Sequence, residues 1–312
     1  MQVKSISKCC NNKAVIDLSS GEQLCKEHFI RYFESKVLKT IRKFELIGKE
    51  ENLGVALSGG KDSLTVLNIL NNISKENRKI KLTAVLIDEG IAGYRDKTII
   101  DAENFCNEKE IELKIFSYKE EFGYTLDEIL RLLDVKPCTV CGIFRRYLLN
   151  KKSRELGFTK LVTGHNLDDE CQSIMMNQFK NNLKDSAKLG PINGVISDNG
   201  FVPRIKPLYL CAEKEVATYA FVNELMRGFN ECPNLSLSQR SRVRDMLNEY
   251  ENEYSGTKYA IANSFLQMLP GLKEKFKFGK LEKCKDCGEP SSKEICNTCV
   301  YLKKLLNIKK LD

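Results

Sequence analysis

Leu53-Gly54-Val55-Ala56-Leu57-Ser58-Gly59-Gly60-Lys61-Asp62-Ser63 runs from an apolar pentad through a glycine pair into a helical pattern, Leu64, Val66, Leu67, Ile69 and Leu70. A short apolar run bounded by turn residues reads as a buried strand, and the spacing after it reads as one face of a helix. A strand that feeds a glycine turn opening a helix is an anion site, because free N–H groups and the positive end of the helix dipole converge there. Gly59 and Gly60 allow close backbone approach, Lys61 adds a charge, and Ser58, Asp62 and Ser63 supply polar side chains. The pattern GxxxxGK[ST] is absent, which excludes an ordinary kinase or GTPase loop.

Outward from this loop the chain alternates. Strands are expected at 53–57, 81–87, 111–117 and 160–163, with helices at 63–77, 96–109 and 168–180 and a long helical region at 124–156. Repeated βαβ units predict an α/β fold, a Rossmann-like, doubly wound parallel sheet covered by helices on both faces. In such sheets ligands lie outside the carboxyl ends of the strands. The chemically conspicuous residues fall there: the loop 58–63, Asp88 to Gly90, and Gly164-His165-Asn166-Leu167-Asp168-Asp169-Glu170. Three acids in a helix's first turn suit the helix dipole. Paired aspartates beside a phosphate loop also suit Mg²⁺. His165 and His28 are the two histidines of the chain.

Before this core, residues 29–49 read as an amphipathic helix, with Phe29, Tyr32, Phe33, Val37, Ile41, Phe44 and Leu46 as its apolar residues and basic residues along it. After it, a Gly/Asn/Pro-rich connection at 190–203 leads to Arg204-Ile205-Lys206-Pro207-Leu208. Helices near 213–226, 239–253 and 257–269 follow, and Pro270-Gly271 is expected to end that unit. The expected organisation is a terminal module at 1–30, a linking helix at 31–50, the core at 51–210, a helical extension at 211–275 and a second module at 280–312.

With 42% hydrophobic and 29% charged residues, the 312-residue chain has the composition of a soluble globular protein. It contains no apolar run long enough to span a bilayer, and residues 1–7 lack the apolar core of a secretion signal, so a cytoplasmic location away from membranes is expected. A net charge of +8 is compatible with a polyanionic partner.

The thirteen cysteines are more specific. In a reducing compartment, clustered C-x2-C pairs point to metal rather than disulfides. Cys284-x2-Cys287-x8-Cys296-x2-Cys299 has the spacing of a zinc ribbon, and four thiolates leave no open position, so a structural Zn²⁺ is expected. Near the other end, Cys25-x2-His28 forms half of a zinc site, with Cys10 and Cys9 offered for the other half. A third pair, Cys138-Thr139-Val140-Cys141-Gly142, lies inside the core, and its nearest further cysteine of similar context is Cys232 in Cys232-Pro233. The pair alone suits thiol redox chemistry, and the three together suit three corners of a [4Fe-4S] cluster with one iron left open. Cys106, Cys171 and Cys211 sit in apolar segments and read as buried packing residues.

SGGKDS is similar to the SGGxDS loop of the ATP-pyrophosphatase (PP-loop) family, whose members bind pyrophosphate there and adenylate a substrate. The wider set of SGGKDS, C-x2-C-G, GHNLDDE, RIKPL, Cys-Pro and a metal module at each end resembles the tRNA 2-thiolation branch, closest to the cytosolic and archaeal-type tRNA-uridine thiolases. The resemblance covers nearly the whole chain and departs at Cys9-Cys10, where that branch has C-x2-C, and at Arg145, where a lysine is common.

It implies a tRNA-uridine 2-sulfurtransferase that uses ATP and Mg²⁺. Ser58, Gly59, Gly60, Lys61, Asp62, Ser63, Asp88, Gly164 and Asp169 would line the nucleotide site, with Asp169, Arg145 and Lys61 catalytic. Cys138, Cys141 and Cys232 would hold a [4Fe-4S] cluster. Zn²⁺ would occupy two sites, one at Cys284, Cys287, Cys296 and Cys299 and one at Cys9, Cys10, Cys25 and His28. Implied partners are tRNA, a sulfur donor (sulfide or a thiocarboxylated ubiquitin-like protein) and a second copy of the chain in a homodimer. The 24 asparagines beside thirteen cysteines point away from a hyperthermophile and so to the wobble uridine 34 rather than a T-loop uridine. A tRNA cytidine, or a different PP-loop adenylating enzyme with zinc or redox cysteines, are the alternatives.

Overall fold

The computed structural model describes residues 10, 12–193, 200–226, 232–235, 239–277 and 282–308. Cys9, offered as a zinc ligand, lies outside them. A hairpin of β1 (Ala14–Asp17) and β2 (Gln23–Cys25) opens the described chain. It runs into α1 (Lys26–Lys43), whose Phe29, Phe33, Val37 and Ile41 form one buried stripe at i, i+4 spacing. The helix ends well short of residue 49, and Glu45 just beyond it has φ 50°.

The core follows as β3 (Glu51–Leu57), α2 (Lys61–Glu76), β4 (Ile80–Asp88), α3 (Arg95–Lys109), β5 (Glu112–Ser117), α4 (Tyr118–Phe122), α5 (Leu126–Leu132), α6 (Pro137–Glu155), β6 (Lys160–Val162), α7 (Leu167–Phe179), α8 (Leu183–Ser186), β7 (Ile192–Asn193) and β8 (Arg204–Ile205). The region expected to be helical throughout 124–156 is broken before Pro137. A proline disfavours helical backbone at the residue before it and suits the first turn of a helix, so Lys136 is extended (φ −69°, ψ 121°) and α6 starts afresh.

The strands form one sheet in the order β5-β4-β3-β6-β8-β7. All neighbours are parallel except the edge pair β7–β8, which is antiparallel. The connection at 190–203 thus carries an edge strand of its own. Along β4 the side chains alternate. Ala84 and Leu86 join the apolar core containing α1, α2 and α3, while Val85 and Ile87 join the core containing α5 and α6. Helices therefore cover both faces, as a doubly wound sheet requires. The strand order reverses at β3, with β4 and β5 on one side and β6 and β8 on the other, so the crevice for a ligand opens between the ends of β3 and β6.

Beyond the sheet lie α9 (Glu213–Val222), α10 (Gln239–Glu253) and α11 (Thr257–Lys275). Helix α11 continues through Pro270, which was expected to end it. Pro270 is exposed near the helix's last turn, where the carbonyl it leaves without an N–H partner can meet water. The tail is β9 (Glu282–Lys283), β10 (Pro290–Ser291) and α12 (Asn297–Ile308). Helix α12 packs on α5 and α6 and buries Leu305 in their core. No helix among the described residues is long and apolar enough to cross a membrane.

Candidate active site and metal centres

The glycine loop leaves β3 at Ser58. Gly59 has φ 82°, and a Cβ there would stand 2.9 Å from Cβ of Thr98, so a side chain is excluded by both backbone and space. Gly60 caps α2 without a side-chain bond. The serines tie the loop to itself. Ser58 N donates to Ser63 Oγ (3.1 Å), Gly60 N donates to Ser58 Oγ (3.3 Å), and Ser63 Oγ donates to the Gly60 carbonyl (3.0 Å). Arg95 fixes the loop from below, donating to the Ser58 carbonyl at 3.1 Å while pairing with the buried Glu89.

Lys61 reaches Asp62 at 3.2 Å and Glu213, at the start of α9, at 2.9 Å. Burial works against its charge, but the two carboxylates outweigh it and hold its pKa above the ordinary lysine value. Asp62 in turn accepts from Asn166 Nδ2 at 2.9 Å, which joins the loop to the β6–α7 turn. Gly164 in that turn lies flat on the first turn of α2, where a Cβ would come within 2.7 Å of the Asp62 carbonyl carbon and 2.8 Å of Ser63 N. The contact gives a steric reason for glycine at this position. Asp88, at the end of β4, accepts from Gly90 N at 2.8 Å.

The acidic run of α7 divides sharply. Asp168 is buried, bound to Lys258 and to the Glu213 amide at 2.7 Å, and Glu170 is buried against Lys206 at 2.6 Å. Both brace the helix, so the aspartate pair expected for Mg²⁺ is not presented to the cleft. Asp169 alone is. It shares a capping box with Asn166 and accepts from Arg240 of α10 at 3.2 Å. The surrounding protein raises its pKa to about 6, against the pull of Arg240. His165, open at the mouth of the same cleft, hydrogen-bonds Thr163 at 2.9 Å. Enclosure by protein and the cations Lys206, Arg240, Arg145 and Arg204 push its pKa down to about 3, so it is neutral.

The thiols stand at the other end. Cys138 and Cys141 lie on the first two turns of α6, three residues apart and so on one side of it. Cys138 Sγ donates to the carbonyl of Asn234, two residues past Cys232, at 3.5 Å. Cys141 and Cys232 pack on the same apolar core and lie within electrostatic reach of each other. The three thiols expected together from distant parts of the chain thus share one neighbourhood. They do not draw within 4.8 Å of one another as one ion's ligands do at the two termini. A cluster spreads its thiolates over different irons, and this donor set suits it. Arg145, one turn further along α6, faces Glu89 at 3.7 Å and lies within electrostatic reach of Cys141 and His165.

At the termini, Cys284, Cys287, Cys296 and Cys299 bring their sulfurs within 4.8 Å of one another, as do the donor atoms of Cys10, Cys25 and His28. Cys10 and Cys25 sulfurs are 3.4 Å apart, and His28 Nδ1 is 3.2 Å from Cys25 Sγ. Four thiolates in the tail and two thiolates with an imidazole near the start are donor sets that fit Zn²⁺. Cys106, Cys171 and Cys211 are buried, as expected.

The sequence reading missed Arg240 and Glu213, which reach Asp169 and Lys61 across 71 and 152 residues. Neither stands in a motif. The doubled arginine after Phe144 was the nearest signal for a cationic wall.

Comparison with known proteins places these features. A family model for the PP-loop domain matches residues 30–250. A Methanocaldococcus jannaschii protein named "Probable sulfurtransferase" is 38% identical, covering 97% of this chain and 89% of its own length. The tRNA-5-methyluridine(54) 2-sulfurtransferase of Pyrococcus horikoshii is 34% identical, covering 97% of this chain and 96% of its own. Among solved structures, the U34-tRNA thiolase NcsA from Methanococcus maripaludis with its [4Fe-4S] cluster matches at a TM-score of 0.81 and 37% identity, over 98% of this chain and 97% of that one. The chain belongs to the PP-loop family and, within it, to the branch of tRNA 2-thiolation proteins.

Proposed function

We propose that this protein is an ATP-dependent tRNA-uridine 2-sulfurtransferase acting on the wobble uridine through an adenylated intermediate. The observation that carries the reading is a phosphate-type loop at the strand-order switch, joined through Arg95, Glu89 and Arg145 to the helix that carries Cys138 and Cys141, with Cys232 beside them and no disulfide to explain the thiols. The relatives' names supply the substrate class.

The loop N–H groups and Lys61 receive the ATP phosphates, which enter with Mg²⁺. Lys61 now leans on Glu213 and Asp62 and exchanges these for phosphate oxygens. Uracil O2 attacks the α-phosphorus, the new O–P bond forms, and pyrophosphate leaves with the electrons of the broken bond. Adenylation converts a poor leaving oxygen into a good one. A [4Fe-4S] cluster on Cys138, Cys141 and Cys232 would leave one iron without a protein ligand, where sulfide can be kept as a nucleophile. When sulfur bonds to C2, the C2–O bond breaks and AMP carries the oxygen away. Asp169, ionised above its raised pKa, orients the uracil and takes up its proton, and Arg145 stabilises negative charge between the thiols and the departing AMP.

Zn²⁺ at both terminal donor sets, a homodimer, a sulfide or thiocarboxylated ubiquitin-like donor and a cytoplasmic location belong to the same reading. The ten ligand-type thiols need a reducing compartment. The test is incubation of unmodified tRNA with protein, ATP, Mg²⁺ and sulfide under anaerobic conditions, followed by mass spectrometry of nuclease fragments. Sulfur for oxygen in the anticodon fragment is expected. Sulfur in the T-loop fragment or on a cytidine moves the position, and its absence from every fragment overturns the activity.

A further inference from the structure

We propose that Arg146 and Arg204 form a receptor for a backbone phosphate of the RNA next to the target nucleotide, an inference that rests on the function proposed above. Arg146 leans back along α6 over the preceding turn, so that a Cβ on Gly142 would meet its Nη1 at 2.9 Å, one residue from Cys141. Arg204, the first residue of β8, donates Nη2 to the Arg146 carbonyl at 3.0 Å. The Arg146 guanidinium therefore lies beside Cys141, and that of Arg204 lies one turn behind it, within electrostatic reach.

Neither has a carboxylate within ion-pair distance among the described residues, whereas Arg95, Arg145, Arg154 and Arg240 each have one. A carboxylate whose charge reaches Arg146 is that of Asp185, already paired with Lys188 at 2.7 Å. Enclosure lowers the pKa of both; Arg145 lowers that of Arg146 further, and Arg146 and Arg145 lower that of Arg204, to about 10. Holding two like charges together without a counter-ion is unfavourable, and an anion bound between them relieves it.

The guanidinium fork matches a phosphate bidentately. ATP has its own receptor at the glycine loop around Lys61. An RNA whose unstacked base enters between that loop and the thiols must pass its flanking phosphate over the cationic wall outside Cys141.

The experiment compares wild type with R146Q, R204Q, R146K and R204K. For each it reads tRNA affinity over a salt series, ATP affinity and iron content. Each Gln variant is expected to bind tRNA about tenfold more weakly, with the salt slope reduced by about one. ATP affinity and iron should be unchanged, and the Lys variants should keep a slope near that of wild type. A tRNA carrying one neutral methylphosphonate beside the target uridine should cost the wild type what the Gln variants have already lost, and cost those variants nothing further. Equal tRNA affinity in all variants, a loss confined to ATP affinity, or a Lys variant as weak as the Gln variant would overturn the proposal. A wild type that binds tRNA without thiolating it would sink the enzymatic reading and leave this comparison intact.

Discussion

The two halves of the cleft are built in opposite ways. The phosphate half is local: Ser58, Gly60 and Ser63 close their hydrogen bonds within six consecutive residues, and one glycine with φ 82° sets the turn. The thiol half is assembled at long range, from α6 and from a segment that reaches Cys138 across 96 residues. A local loop survives the loss of one hydrogen bond, because its geometry is set by backbone. A centre with three donors has no such reserve. The difference predicts where single substitutions are absolute and where they are graded.

The sharpest break of this comparison is C141S. Iron should fall from about four per chain to near zero, and thiolation with it, while ATP affinity remains. Retained iron and activity would show that the thiol half is not a cofactor site. D169N should come next, lowering thiolation about 100-fold or more with tRNA affinity unchanged. Because its carboxyl is held at about 6, the wild-type rate should fall as pH drops through that value, when Asp169 takes up its proton. R240A removes the cation that lowers this pKa, so the acid limb should move to higher pH, leaving the rate well above it little changed. A limb that stays in place would free Arg240 of this role. G59A should cost about 1–3 kcal/mol by forcing a side chain into left-handed backbone against Thr98, read as a lower denaturation midpoint. An unshifted midpoint would mean that the loop's rigidity lies elsewhere.

The same contrast explains what was legible. Six contiguous residues, 58–63, carry the loop, and the two C-x2-C pairs of the tail and Cys25-x2-His28 near the start carry the terminal metal sets, because their geometry follows from short separations. The parallel sheet was legible because apolar runs and helical periods alternate. Helix limits were not. Pro137 starts a helix that a continuous pattern had concealed, and Pro270 fails to stop one. Asp168, Asp169 and Glu170 look equivalent in the sequence, and only the partners Lys258, Arg240 and Lys206 tell two braces from one cleft-facing acid.

Helix α6 is held at its rear by the tail. Tyr147 packs on the tail's thiols, Arg154 pairs with Glu289, and Leu305 enters the core beneath. Cys138 and Cys141 ride on its front end. From Arg154 to Cys138 the rod is about 24 Å long at 1.5 Å per residue, so a tilt of roughly 5° about the docked end moves the front thiols by about 2 Å. The tail works on this lever as a counterweight: slack in the last thirty residues is delivered, magnified, to the place where sulfur is handled.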